Sequence, residues 1–403
     1  MSDRVDDTAP LTAEASTVPP ADTVAPGERG PLITPRRIAW VITVVVLLLV
    51  PLFVTAPWLR VGEYVMIGAV GAIGLTMLTG QAGQLSLGTP FFMLVGGTAY
   101  CCLAGTPSEV NTDDFVGWGW PPLLALVGAV LIAAAFGLAF APVAGRVEGI
   151  YLAVATLSLV YLGLYLGQSL DQLTGGTASG RPPEEITVFG FSLTSDDPEF
   201  SLLSVPMRAP ERLWYLFLIL TFIAYVLARG AIQGRPGRSW RAVRDNPASA
   251  SVMGVPVARV RAEAFAISSA YAGLAGVMTV QWFGLLKADE SEFAGSWSII
   301  VAISFLGMII IGGLGSIPGA VLGAVVVNGL PLTLQLLIPK SQFLGDLLSG
   351  SDGFTPVVVT AILYGLAIIL VVLFEPGGLA AIGRRLTGYL QSRTSRSQKR
   401  TAT

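Results

Sequence analysis

The residues able to do chemistry in this sequence are few, and they gather in two places. The first is Gly80-Gln81-Ala82-Gly83-Gln84-Leu85-Ser86-Leu87-Gly88, with three glycines and three polar side chains in nine residues. Glycine lets a backbone leave the helix and approach a neighbour closely, while amides and a hydroxyl offer hydrogen bonds without charge. Such a segment can line a passage for a small solute, which makes Gly80, Gly83, Gln84, Ser86 and Gly88 the candidate pathway residues. The second place is the loop Gly234–Gly254, where Arg235, Arg238, Arg241 and Arg244 recur every third residue. On a helix that spacing keeps them within about half the circumference, giving a short helix with a basic face. Trp240, Val243, Val252 and Met253 interrupt the polar loop, and an aromatic beside arginine marks an anchor for a partner.

Other chemistry is excluded by what is missing. There is no histidine, and the two cysteines, Cys101 and Cys102, are adjacent in an apolar stretch, so neither a zinc or haem site nor a disulfide framework is expected. They read as buried thiols acting as small hydrophobes. A phosphate-cradling P-loop needs Gly-Lys followed by Ser or Thr, and none of Lys287, Lys340 and Lys399 follows a glycine. The carboxylates that touch the apolar runs, Glu63 and Glu263, stand at their edges, which disfavours a proton-coupled carrier but leaves a sodium site of backbone carbonyls open. No nucleophile and base pair stands at depth. No catalytic residue, metal ligand, cofactor or nucleic-acid partner is therefore expected in this chain.

The elements that must position these residues follow from composition. Of 403 residues 53% are hydrophobic and only 12% charged, with mean hydropathy +0.70. A soluble domain carries roughly 25% charged residues, so this is a membrane protein. Uncharged stretches run over 38–59, 64–108, 115–145, 149–170, 213–228, 264–286, 293–339 and 353–374. A crossing helix needs about 20 residues, and 64–108 and 293–339 are long enough for two each, broken at Gly80–Gly83 and Gly312–Gly315. That predicts an all-α, polytopic transmembrane helical bundle of ten spans, with 213–228 the weakest and flanking Arg212 and Arg229 snorkelling to the surfaces. Paired glycine breaks in the two halves are what a repeat-built transporter shows. Polar residues elsewhere in the runs, such as Thr156, Ser158, Ser268, Ser269, Gln281, Ser304 and Asn328, are expected to hydrogen-bond between helices.

The charges orient the chain. With the N-terminus inside, the segments 1–37, the turn at Arg146, the loop 229–261 and the tail 375–403 hold 18 of the 24 basic residues. The outer loops are acidic, with Glu109, Asp113 and Asp114 in the first. Both termini are therefore predicted cytoplasmic, in agreement with an even number of crossings. Residues 1–37 read as a disordered tail, 38–375 as the transmembrane domain, and 376–403 as a basic tail able to touch anionic lipid. The N-terminus lacks the basic and apolar pattern of a signal peptide.

Six segments in order resemble one family. Gly80–Gly88, Glu148-Gly-Ile-Tyr-Leu-Ala-Val-Ala-Thr-Leu157, Leu173-Thr-Gly-Gly176, Gly237-Arg-Ser-Trp-Arg-Ala-Val-Arg-Asp-Asn246, Gly312–Gly319 and Phe374-Glu-Pro-Gly-Gly-Leu379 are similar to the LivM-type permeases of branched-chain amino-acid ABC importers. The resemblance covers about residues 62 to 383. It implies a multi-pass subunit of the bacterial inner membrane that pairs with a LivH-like second permease, two cytoplasmic ATPase subunits and an extracytoplasmic binding protein. It also implies that Arg238, Trp240, Arg241, Arg244, Asp245, Asn246 and Gly254 belong to an ATPase-coupling loop whose short helix sits in a groove of the ATPase. The implied cargo is a branched-chain or similar small amino acid. The chain departs from the family pattern at Thr89, commonly histidine, at Asp245-Asn246, commonly Glu-Asn, and at Ser251, commonly acidic. The family also serves urea and short amides, and this chain keeps the amino-acid-type wording at Gly312–Gly315. An ion-coupled secondary carrier is the further alternative.

Overall fold

A computed structural model describes residues 35–106, 116–147, 149–176, 180–188, 191–194, 201–202, 205–206, 208–288 and 297–337, with isolated positions between 362 and 381. Most of the expected tails 1–37 and 376–403, and most of the tenth span at 353–374, lie outside the described residues; the part of the first tail that is described, 35–37, is already helical as the start of α1. The chain divides after Leu47: the first unit holds the start of the first helix, and the second, Leu48–Thr403, holds the remaining elements.

The described elements are helical apart from two hairpins of two-residue strands, β1 (Thr187–Val188) with β2 (Phe191–Ser192) and β3 (Ser201–Leu202) with β4 (Val205–Pro206). The helices are α1 (Pro35–Phe53), α2 (Ala56–Leu75), α3 (Thr89–Ala104), α4 (Pro122–Arg146), α5 (Ile150–Ser169), the short α6 (Asp171–Thr174) and α7 (Ala209–Gln233). After them come α8 (Arg235–Asp245), α9 (Pro247–Val252), α10 (Val257–Phe283), α11 (Ile299–Gly312), α12 (Ile317–Ala324) and α13 (Leu330–Leu337). Wider π turns continue α2 through Thr76–Gln81 and join α12 to α13 through Val325–Gly329. Proline stands in the first turn of α2, α3, α4, α7, α8, α9 and α12, where its missing N–H costs nothing and its fixed φ suits a helix start.

Among the described residues six helices are long and apolar enough to cross a membrane, and three shorter apolar helices, Ile42–Phe53, Thr89–Ala104 and Ile299–Gly312, accompany them. Both double-length runs split where the glycines stand: α2 and α3 are separated at 82–88, α11 and α12 at 313–316. The run 213–228 is not the weakest span, because α7 continues from Ala209 to Gln233. Arg212 does not snorkel at its edge; it is buried and its Nη1 donates to the Ser192 carbonyl at 2.6 Å. Glu63 is likewise not at an edge. It lies in the third turn of α2, 1% exposed, with Oε1 unpartnered among the described residues. Glu263 is exposed.

Helix α2 is the axis of the core, packed by α7, α10, α11 and α12, while α10 also packs against α3 and α4. Close approach of α3 and α10 rests on small residues: a β-carbon on Gly96 would strike the backbone of Gly273, and one on Gly276 the backbone of Met93. Membrane helices gain their association from such contacts, since lipid is as apolar as leucine. Outward faces are correspondingly apolar, with Leu124, Val127 and Leu131 on α4 and Ile219, Ile223 and Leu227 on α7 exposed.

At the end of the molecule away from α8, Arg181 is 3% exposed and gathers the loops. Its guanidinium donates to the carbonyls of Cys101 at 2.6 Å, Val116 at 2.8 Å and Leu173 at 3.3 Å. Cys101 is buried and Cys102 half-buried; both are free thiols.

Candidate functional site

The two clusters read from the sequence meet. The π turn at the end of α2 is closed by Ala82 N–H donating to the Met77 carbonyl at 3.1 Å and Gln84 N–H donating to Leu78 at 3.1 Å. Gly83 then turns with φ +73°, a left-handed conformation that costs a residue with a side chain about 1–2 kcal/mol. Past it, Ser86 Oγ accepts from Gly88 N–H at 3.2 Å, and Leu87 N–H donates to Thr156 Oγ1 of α5 at 2.9 Å. The break therefore ends by attaching itself to α5.

Helix α8 forms as expected and lies against that break. Trp240 is fully buried and Val243 nearly so, so both are turned into this chain and seat the helix; Gly237 packs on the backbone of Ile232. Arg238 and Arg244 are exposed and Arg241 is half-buried, and of the three it is Arg244 that reaches the break. The Arg244 Nη1 donates to the Gly80 carbonyl at 2.7 Å, while Asp245 Oδ1 accepts from its Nε at 3.0 Å and its Nη2 at 2.9 Å. A β-carbon on Gly83 would lie 2.6 Å from Arg244 Cγ, so the glycine there serves close approach as well as φ. Asn246 Oδ1 accepts from Ser249 N–H at 3.0 Å and caps α9, and Gly254, at φ +83°, ends the turn after it. That turn leaves Val252 and Met253 85% and 83% exposed, so these two, and not Trp240 and Val243, are the apolar residues left for a partner.

The second glycine break closes the other side. Gln81 Nε2 donates to the Gly315 carbonyl at 2.8 Å across 234 residues of sequence, and a β-carbon on Gly80 would run into the Gly315 backbone. A polar cavity of about 250 Å³ remains between the break, α8 and the ends of α4 and α5, lined by Gly83, Gln84, Val147, Gly149, Arg244 and Arg261 among others. Gln84 is 5% exposed and neither its amide nitrogen nor its oxygen has a partner among the described residues. Of the candidate pathway residues, then, Gly80 and Gly83 hold α8, Gln84 borders the cavity, and Ser86 and Gly88 form the join to α5. Sequence reasoning missed two participants: the Leu87 N–H, which no side chain announces, and Gly315 as the acceptor of Gln81.

A helical membrane protein whose paired helix breaks are clasped together and held by a basic helix outside the apolar spans has the features of a transport permease. Residues 59–373 match the branched-chain amino acid transport system / permease component family, and the chain belongs to it. It is 28% identical over 284 residues to the high-affinity branched-chain amino acid transport system permease protein LivM of Salmonella typhimurium, a match covering 68% of this chain and 63% of that protein. It is 29% identical over 263 residues to the corresponding permease protein LivH of Escherichia coli, covering 64% of this chain and 79% of that one. A third relative, the autoinducer 2 import system permease protein LsrC of Escherichia coli, is 28% identical over 311 residues, 75% of this chain and 80% of its own length. The chain thus spans just under two thirds of the LivM length. No solved structure matches it.

Proposed function

We propose that this chain is the permease subunit of an ATP-binding-cassette importer for branched-chain or similar small amino acids, seated in the bacterial inner membrane. It works with a LivH-like second permease, two cytoplasmic ATPase subunits and an extracytoplasmic binding protein. Ten crossings put both termini and α8 in the cytoplasm. The observation that carries this reading is the hydrogen bond from Arg244 to the Gly80 carbonyl, which makes the basic cytoplasmic helix continuous with a helix break inside the apolar spans.

The mechanism is mechanical, with no covalent step and no cofactor. An ATPase closing beneath the membrane grips α8 and α9 through Arg238, Arg241, Val252 and Met253. Arg244 passes the displacement to the break at Gly80–Gly83, Gln81 shares it with the break at Gly315, and Leu87 delivers it to α5 through Thr156. A second cargo, a small polar solute such as urea, a short amide or the autoinducer 2 of the LsrC relative, fits the same mechanism and is favoured by that relative's long match. An ion-coupled carrier takes its support from the buried Glu63, since a carboxylate inside the spans is where a coupling ion would bind.

Uptake of labelled leucine in cells lacking the gene and in the same cells complemented with it tests the proposal, with unlabelled valine and urea as competitors. Restored uptake that valine but not urea suppresses, and that ionophores leave intact while ATP depletion abolishes it, is expected. Leucine uptake indifferent to the gene overturns the amino-acid cargo, and ionophore-sensitive uptake without any ATPase partner overturns the importer.

A further inference from the structure

Helix α5 differs in its outward face from α4 and α7. The outward faces of those two show hydrocarbon, but α5 exposes Tyr151, Ser158, Tyr161, Tyr165 and Gln168, all within about a third of the helix circumference at 3.6 residues per turn. Ile150 and Val154 are the apolar members of that stripe. Ser158 Oγ donates back to the Val154 carbonyl at 3.2 Å and so tolerates any surroundings. The three phenol groups and the Gln168 amide have no partner among the described residues, and hydrocarbon would leave their hydrogen-bonding capacity unmet. The opposite side of α5 is spent on packing: Leu152, Thr156, Val160, Gly163 and Gly167 are buried, chiefly against α3 and α6.

The stripe runs on at one end through exposed Ser169 and Gln172. At the other end of the helix, the cavity that Arg244 and Gln84 share is bordered by Gly149, just before α5 begins, and by Leu152 on the packed side. A cavity of about 370 Å³ also touches α5, but on its other flank, where Leu166, Gly163 and Leu170 join Phe91, Ile132 and Phe136 in an almost wholly hydrocarbon lining that offers a zwitterion nothing.

From this we infer that the α5 face bearing Tyr151, Ser158, Tyr161, Tyr165 and Gln168 is the water-filled wall of the solute pathway. The inference rests on the permease reading and names the surface that the solute meets. The stripe carries hydroxyls, an amide and aromatic faces but no charge, a lining suited to a small solute of zero net charge that needs hydrogen bonds for its polar end and ring surface for its apolar end. An uncharged wall binds such a solute weakly, as transit requires. The Leu87 to Thr156 hydrogen bond puts this wall at the end of the chain of contacts that begins at α8.

The test is thiol accessibility in the intact transporter, in membranes, with the wild-type chain setting the background from Cys101 and Cys102. Ser158→Cys and Tyr165→Cys are compared with Leu131→Cys on α4 and Ile223→Cys on α7, using a charged, membrane-impermeant methanethiosulfonate. Thiols react as thiolates and hydrocarbon suppresses both ionisation and reagent entry, so the two α5 positions are expected to react at least about tenfold faster than the two controls. Saturating leucine should slow the α5 reactions and leave the controls unchanged. Labelling of both α5 positions as slow as Leu131→Cys, whether because they face lipid or a dry contact with another permease chain, overturns the inference. Co-purification of an ATPase chain with each variant reports on the permease reading separately, so the two can fail independently.

Discussion

Replacing Arg244 with alanine tests the link between the basic helix and the break most directly. Two interactions would be lost. The ion pair with Asp245 joins side chains that are 38% and 66% exposed, and such pairs contribute about 0–1 kcal/mol, so its main service is to aim the guanidinium. The bond from Nη1 to the Gly80 carbonyl, at 2.7 Å, is charge-assisted and only partly exposed, and hydrogen bonds of that kind contribute about 1.5–3 kcal/mol. Taking the lower figure for a side chain still in contact with water, and one factor of ten per 1.4 kcal/mol, Arg244→Ala shifts the balance between attached and detached states of α8 by about tenfold. The assay is the chain reconstituted in vesicles with the ATPase and binding protein proposed for it, scored as solute imported per ATP hydrolysed. That ratio is expected to fall by about tenfold while hydrolysis itself stays within about twofold of wild type. Arg244→Lys, which keeps the charge but not the planar fork, should fall between the two. An unchanged ratio in Arg244→Ala would refute the linkage, and a parallel loss of import and hydrolysis would show that Arg244 serves the ATPase rather than the break.

Two further outcomes come from the same geometry. Gly83→Ala pays about 1–2 kcal/mol for its left-handed φ and also presses on Arg244 Cγ, so its thermal unfolding in detergent should come several degrees early, and a double-mutant cycle with Arg244→Ala should recover the steric part alone. Val252→Asp alters a residue 85% exposed and should leave unfolding unchanged while abolishing co-purification of the ATPase; retained co-purification would move the docking surface elsewhere.

The sequence announces where this fold bends more clearly than how far its helices run. Prolines mark seven helix starts, and both glycine breaks fall where runs of double length demand one. Charges are poor markers of helix ends. The stretch 38–59 continues past a turn at Thr55 because Arg60 is the first charge after it, although Pro57 already opens α2. The stretch 213–228 stops at Arg212, yet α7 begins at Ala209 because Glu211 Oε2 accepts from the Arg208 N–H at 3.0 Å and Arg212 is satisfied by a loop carbonyl. Glu63 misleads for the same reason: a charge in the third turn of a helix looks like the end of an apolar run. The α5 stripe is hidden in the sequence because tyrosine carries no charge and is counted among the hydrophobic residues, and only the exposure of the helix distinguishes a ring packed in a core from a hydroxyl facing outward. Contacts such as Gln81 with Gly315 join residues that no local pattern relates.

That last contact has a consequence for how the chain is made. Gln81 reaches a partner 234 residues later, so during synthesis its amide waits for this clasp until the second break has been translated. At 5–20 residues per second the wait is roughly ten to fifty seconds, during which the Gln81 amide and the backbone groove at Gly80 are open to whatever else is near. A nascent chain released before residue 315 would carry α2, α3, α8 and α10 yet lack the surface that closes over Gly80. Quality control that recognises unpaired amides within the bilayer would find its signal at that position.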